Sequence, residues 1–462
     1  MIYSSLPFIF LFLPASLLIY HAAPKKIHNG VMMLLSMAFC ASFSVKFLWF
    51  VMIYVLLNYI AGLIIEELRM KKQNSWAAAP LSGMIFADIL LLMTYRSEHM
   101  AWLRSGLKLD RAFFPVGISF MTLSAIGYLL DIYRRRQKAE RNIIRFSLYM
   151  MMFPRLIMGP PVRYRSFQKS LRNRNEGLDS IGLGFTVFVK GLAKKVICAD
   201  MLYSLYSSVK SIEVQEVSAF TAWLGATAYL MCFYFTLSGF ADMGTGLGYC
   251  FGFRLPQSFN YPLFSAKVRT FAAKWHIQLI QWFRRYVTKP LTELGNGSTM
   301  YRRIIYISAW GIAGLWYKPD PNGLLWGLMI GTAVIAEHGL GRLKLLKATG
   351  VIYTYLVTII CTVIFMGDSL MYSLRYLIAM AGGNGVILGD DFGYFFKSYI
   401  VIMLLGAYVS TSLFKNMMIR SGMSRLSKVV EKVSPVMITG LFLLCTVMIS
   451  VTGSSGFILF RL

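Results

Sequence analysis

Acidic side chains are scarce in this chain: 20 Asp and Glu stand against 47 Lys and Arg in 462 residues. The resulting formal charge of +27 would, in a soluble protein, suggest a nucleic-acid partner. Here the basic residues lie in short loops between apolar runs, as at Arg134-Arg135-Arg136 and from Arg163 to Arg174. That placement argues for no nucleic acid and for contact with membrane lipids, through the positive-inside bias and anionic headgroups. Paired cysteines are also missing. Cys40, Cys198, Cys232, Cys250, Cys361 and Cys445 are scattered through apolar stretches, which indicates neither a disulfide framework nor a zinc site and leaves core packing as their use. No metal is expected. Internal repeats are lacking as well, which counts against an inverted-repeat transporter.

What the chain has in abundance is apolar length. Hydrophobic residues make up 57% of it, a composition that excludes an ordinary soluble domain of this size. By the rule that a span needs roughly 20 mostly apolar residues, about ten to twelve candidate spans recur from Leu6–Tyr20 to Pro435–Val451. The expected fold class is therefore all-α: a polytopic membrane protein of about ten to twelve transmembrane helices with re-entrant and interfacial amphipathic helices, forming one integral membrane domain over 1–462. Met1 to Tyr20 has no basic opening and no small-residue cleavage pattern, so it reads as a retained first span.

Several local expectations follow from residue order. Ser44, Val45 and Lys46 alone separate two apolar runs between Val31 and Ile65, which predicts a tight helical hairpin. Asp88 falls inside an apolar run, where a carboxylate must face protein or a cavity. Ile143 to Pro161 is apolar but broken by Pro154, Pro160 and Pro161, and it joins two basic loops. If it crossed the bilayer those loops would face opposite sides, against the charge bias, so Phe153 to Val162 reads as re-entrant or interfacial. Lys190, Lys194 and Lys195 either snorkel or receive donor phosphates. Asp390-Asp391 reads as a solvated turn.

Polar residues that a membrane protein keeps only at a cost concentrate between Phe233 and Trp326. The stretch reads Phe-Tyr-Phe-Thr-Leu-Ser-Gly-Phe-Ala-Asp-Met-Gly (233–244), Phe-Arg-Leu-Pro-Gln-Ser-Phe-Asn-Tyr-Pro (253–262), Lys-Trp-His-Ile-Gln-Leu-Ile-Gln-Trp-Phe-Arg-Arg-Tyr (274–286) and Gly-Leu-Trp-Tyr-Lys-Pro (314–319), then Leu-Trp-Gly (325–327). Further words stand in order at 10–14, 115–120, 153–164 and 191–200. Together these resemble the membrane-bound O-acyltransferase superfamily, in the branch holding the alginate O-acetyltransferase membrane subunit and the D-alanyl transfer protein of teichoic acids. The core of the resemblance covers 233–331.

The resemblance implies helices around a central tunnel in a bacterial-type cell membrane. It also implies an acyl thioester donor, acetyl-CoA or a carrier-protein thioester, a polysaccharide acceptor, and a separate extracytoplasmic acetyltransferase- or esterase-like partner. Such a transfer needs a base near the acceptor, donors for the developing oxyanion and exclusion of water. Where the family writes Gly-Leu-Trp-His, with that histidine as catalytic base, this sequence has Tyr317; His276 corresponds to the second functional histidine, with a structural hydrogen bond as the alternative role. Thr236, Arg285 and Ile330 likewise stand where the family has polar or acidic residues. Arg163, Ser238, Gly239, Asp242, Asn260, Tyr261, Trp275 and Trp316 are the candidates for lining the substrate path. Ser238-Gly239 and the glycines from Gly244 to Gly248 are expected to break a long helix beside Asp242, while Ser265 to Tyr286 is expected to be one amphipathic helix in the headgroup plane.

A phenol with an ordinary pKa near 10 is about one part in a thousand ionised at pH 7, so Tyr317 is a poor base unless Lys318 is buried against it. Two classes therefore stay open. One is an enzyme that passes an acetyl-like group to an envelope glycan. The other is a catalytically impaired relative acting as scaffold or as an acyl- or lipid-binding subunit.

Overall fold

The computed structural model describes residues 1–97, 100, 105, 117–159, 161–295, 297–340, 344–411 and 424–452. Those residues form helices, turns and irregular connections, with no strand among them. Among the described residues, six helices are long and apolar enough to cross a membrane: Val45–Met70, Asn74–Arg96, Ala219–Cys250, Thr349–Met366, Asp390–Val409 and Val433–Thr452. Shorter apolar helices include Phe8–Ala22, Ile118–Tyr133 and Leu370–Met380. The polytopic all-α expectation holds, the described residues supplying six full-length spans together with the shorter apolar helices. Several of the apolar runs end early at turns or are interrupted by π-helical turns, as at Phe8–Phe12. The opening residues of the word at 115–120 lie outside the described residues, as does Pro160.

Val45–Met70 shows why these helices belong in lipid. Its inner face, Phe47, Val51, Tyr54, Val55, Asn58, Ala61, Gly62 and Ile65, is buried at steps of three and four. Its outer face carries Trp49, Ile53, Leu56, Leu57, Ile60 and Ile64, all exposed. A helix that is apolar all round finds a favourable solvent for the second face only in hydrocarbon. The hairpin preceding it forms where expected: Ser44 caps the helix by accepting from the Phe47 amide at 3.0 Å. Asp88 is buried, and its packing against Tyr54 and Asn58 meets the requirement for protein surroundings.

The chain divides into two compact units. Met1–Phe188 with Phe240–Gln257 make the first, and Val189–Gly239 with Ser258–Ser455 make the second. In the first, the stretch after the Arg134–Arg136 loop folds as two short helices, Ile143–Met151 and Phe153–Leu156. Neither is long enough to cross a bilayer. Tyr149 ties the return of the chain by donating to the Val162 carbonyl at 3.0 Å. Residues 135–141 and Tyr164, Arg165 and Gln168 consequently line one cavity.

Three expectations are corrected. Ala219–Cys250 is an unbroken 32-residue helix, so Ser238-Gly239 and the glycines after Gly244 do not interrupt it. They allow close packing instead. A Cβ on Gly246 would meet the backbone of Gly184 and Phe188 at 2.5 Å, and one on Gly239 would meet the Gly191 carbonyl at 2.8 Å. Asp390 and Asp391 are not in a solvated turn but open the helix Asp390–Val409, where carboxylates complement the helix dipole. Lys195 neither snorkels nor faces open solvent, since it is buried and ion-paired with Asp200.

Candidate active site

His276 occupies the joint between two short helices, Val268–Lys274 and Ile277–Phe283, with φ 36° and ψ 56°. The single amphipathic helix expected over 265–286 is therefore split in two. Hydrogen bonding explains the break. The Ile277 amide donates to the Ser258 carbonyl at 2.7 Å, and the Asn260 amide donates to the Lys274 carbonyl at 3.1 Å. Segment 258–261 thus takes up backbone groups on both sides of the joint and holds His276 in the left-handed region. Tyr261 is left-handed too, with φ 48°. Such backbone costs on the order of 1–3 kcal/mol per residue and persists only where the surroundings enforce it.

The His276 side chain is wholly buried. Its ring stacks on Phe259, with centroids 5.2 Å apart and planes 23° apart, and its Nδ1 lies 2.6 Å from the Tyr317 hydroxyl. The joint lies outside the helices long enough to span, and burial there lowers the imidazole's pKa well below the usual histidine range. The ring is consequently neutral near pH 7, with one nitrogen donating and the other accepting.

Tyr317 is the last residue of the helix Thr299–Tyr317. That helix makes a close hairpin with Pro321–Leu340: a Cβ at Gly314 would run into the Gly323 carbonyl, and one at Gly327 into the Trp310 carbonyl. The turn is pinned by Lys318, Asp320 and Asn322. Lys318 Nζ donates to the carbonyls of Phe365 at 3.0 Å and Gly367 at 2.7 Å and pairs with Asp320 at 3.0 Å. Asp320 accepts from the Gly323 amide at 2.8 Å, and Asn322 donates to Gly367 at 2.8 Å. The Lys318 ammonium is therefore committed to helix-end carbonyls and a carboxylate, so it is not the neighbour that activates the phenol.

An aromatic cage surrounds the pair. Around the Tyr317 ring, Trp316, Trp326 and Phe233 have centroids at 5.1, 5.5 and 5.9 Å, each close to edge-on. Phe365 packs on Phe233 and Trp326 at 5.1 and 5.4 Å, and Trp275 packs on Phe233 at 5.6 Å. Of the candidates named from sequence, Trp275, His276, Trp316 and Tyr317 come together. Asn260 and Tyr261 contribute backbone, and the Asn260 side chain is exposed. Ser238 is fully buried on the long helix near Gly239, which serves packing. Asp242, partly buried, and Arg163, exposed, belong to the first unit. Phe233, Phe259, Trp326 and Phe365 were not singled out. The first three stood within the polar-rich stretch, but Phe365 ends a distant apolar run with nothing to mark it.

The sequence profile of the membrane-bound O-acyltransferase family matches residues 33–375, a region that contains the whole His276–Tyr317 site. The chain belongs to this family. It is 30% identical over 423 residues to the probable alginate O-acetylase AlgI of Azotobacter vinelandii, covering 88% of this chain and 84% of that one. It is 26% identical over 429 residues to the peptidoglycan O-acetyltransferase of Helicobacter pylori, covering 82% and 80%. It is also similar to the teichoic acid D-alanyltransferase of Bacillus subtilis, at 23% over 46% of this chain and 56% of the relative. Membership of the family implies an acyl donor as substrate and a multi-pass protein of the membrane.

Proposed function

We propose that this protein is an O-acyltransferase of the bacterial cell membrane that moves an acetyl-like group from a cytoplasmic thioester, acetyl-CoA or a carrier-protein thioester, to hydroxyls of an envelope polysaccharide, working with an extracytoplasmic partner. The observation that carries this reading is the buried pair of His276 Nδ1 and Tyr317 Oη at 2.6 Å, inside the region matched to the family. Relatives named for acetyl or alanyl transfer to alginate, peptidoglycan and teichoic acid support the acceptor class.

In this reading Tyr317 replaces a direct base with a relay. The acceptor hydroxyl gives its proton to Tyr317 Oη while the phenol's own proton passes to His276 Nδ1. The acceptor oxygen attacks the thioester carbonyl carbon, the C–S bond breaks, and the proton returns through Tyr317 to the departing thiolate sulfur. The neutral, buried imidazole is the proton store, and the aromatic cage excludes water that would hydrolyse the donor.

The test is transfer from labelled acetyl-CoA, or an acyl-carrier thioester, to polysaccharide by the purified protein in nanodiscs. Wild type is expected to turn over, with kcat lower by about 10²- to 10⁴-fold in Tyr317→Phe and in His276→Ala. A silent wild type that gains activity with Tyr317→His would overturn the relay and establish an impaired relative.

A further inference from the structure

Within the first unit, a cavity of about 880 Å³ opens where the helices Val45–Met70 and Ile118–Tyr133 end and where Tyr164–Arg172 begins. Six basic side chains line it: Arg69, Arg135, Arg136, Lys138, Arg141 and Arg165. Its two carboxylates are already engaged. Glu66 accepts from the Ala139 amide at 3.2 Å and from Arg141 at 2.6 Å. Glu140 accepts from the Asn142 amide at 2.9 Å and from the Tyr164 hydroxyl. By contrast, Lys138 and Arg165 meet no carboxylate among the described residues, and the Arg135 guanidinium donates to the Arg69 carbonyl at 2.9 Å.

The backbone is bent where it presents Arg135. Both helices end with a basic residue in the left-handed region, Lys72 at φ 59° and Arg135 at φ 54°. Each end is closed by paired bonds, Gln73 to Leu68 with Lys72 to Arg69, and Arg136 to Asp131 with Arg135 to Ile132. This is a helix stop whose left-handed position normally takes glycine. Glycine would be less strained at either place, but at position 135 it would remove a positive charge from the cavity lining.

We infer that this cavity is a binding site for phosphate-bearing ligands, taking phosphate oxygens between Lys138, Arg165 and the arginines that frame them. A pocket of basic side chains between helix ends at one membrane face is the geometry that receives anionic headgroups, and guanidinium groups match phosphate oxygens in pairs. The shared chemistry has two sources, an anionic phospholipid headgroup and a free phosphate anhydride. Neither depends on the acyl-transfer reading.

Full-length protein in phosphatidylcholine nanodiscs would be titrated with phosphatidylglycerol and, separately, with inorganic pyrophosphate, with bound ligand read by native mass spectrometry and calorimetry. Saturable binding of at least one is expected. It should be weakened roughly thirty-fold by Lys138→Gln with Arg165→Gln, each cation near an anionic group contributing a factor of about five. Lys25→Gln with Lys26→Gln, which changes an exposed basic pair elsewhere, should leave it unchanged. Phosphatidylglycerol binding alone assigns the site to lipid, and pyrophosphate binding alone assigns it to a soluble ligand. Arg135→Gly keeps the helix stop and should weaken binding without loss of fold. Binding of neither probe, or equal weakening by the Lys25 and Lys26 pair, would overturn the inference.

Discussion

At position 317 a buried phenol bonds to the imidazole of His276, and that imidazole sits on a left-handed backbone. These two facts separate chemistry from folding experimentally. Asn tolerates the left-handed region better than most residues, so His276→Asn should keep the joint between the two short helices and a melting temperature within a few degrees of wild type, while transfer activity falls with that of His276→Ala. The depressed pKa of His276 has a signed consequence for activity. A base whose pKa is lowered stays neutral, and so competent, until the pH falls through the lowered value. The rate should therefore remain flat as the pH passes through about 6.5, where an ordinary histidine protonates. A drop centred there in a kcat profile would contradict the buried, neutral ring.

The helices explain which parts of the site were readable from sequence. Trp275, His276, Trp316 and Tyr317 were legible because polar and large aromatic residues cluster in an otherwise apolar chain, and a bilayer tolerates that only where function or packing requires it. The break at His276 was not legible. Val268, Phe271, Trp275, Leu279 and Phe283 keep helical spacing straight through the joint, and the interruption comes from hydrogen bonds to segment 258–261 that local periodicity cannot reveal. Glycine was misread in the opposite direction, as a breaker in Ala219–Cys250, because conformational freedom and absence of a side chain leave the same mark in a sequence. The distinction can be measured. Gly246→Leu places a branched side chain against the backbone of Gly184 and Phe188, and overpacking of this kind costs typically about 1–3 kcal/mol. Lower thermal stability in detergent is expected, without loss of helical circular dichroism.

Over the whole molecule, charge placement organises the chain more than charge number does. The basic loops before Ile143 and after Val162 line a single cavity, so cysteines introduced at Lys138 and Arg165 should react with a membrane-impermeant maleimide from the same face. The native cysteines are all buried and free, which keeps the background low. A second long-range tie is electrostatic. Burial alone would raise the pKa of Glu176, but its hydrogen bonds with His28 at 2.9 Å and Tyr20 at 2.8 Å outweigh that and hold the carboxyl below its ordinary range. A depressed folded-state pKa contributes stability that is present above the unfolded value, near 4.3, and is lost as pH falls through the folded value. Glu176→Gln should accordingly lower stability at neutral pH and flatten its decline in acid, as read by unfolding at a series of pH values. The polytopic class and the return of the chain between the basic loops followed from apolar length and the charge bias. The ends of the helices did not, because apolar runs do not show where a helix stops.

Histidine is rare here, five residues in 462, and among the described residues only His276 is sealed in a cage with a phenol at 2.6 Å. Isotope labelling confined to imidazole would therefore give a magnetic-resonance spectrum of a few resolvable signals. One should carry a strongly downfield proton and stay still while pH moves the ordinary ones. That resonance would report when a donor or acceptor enters, before any bond is made.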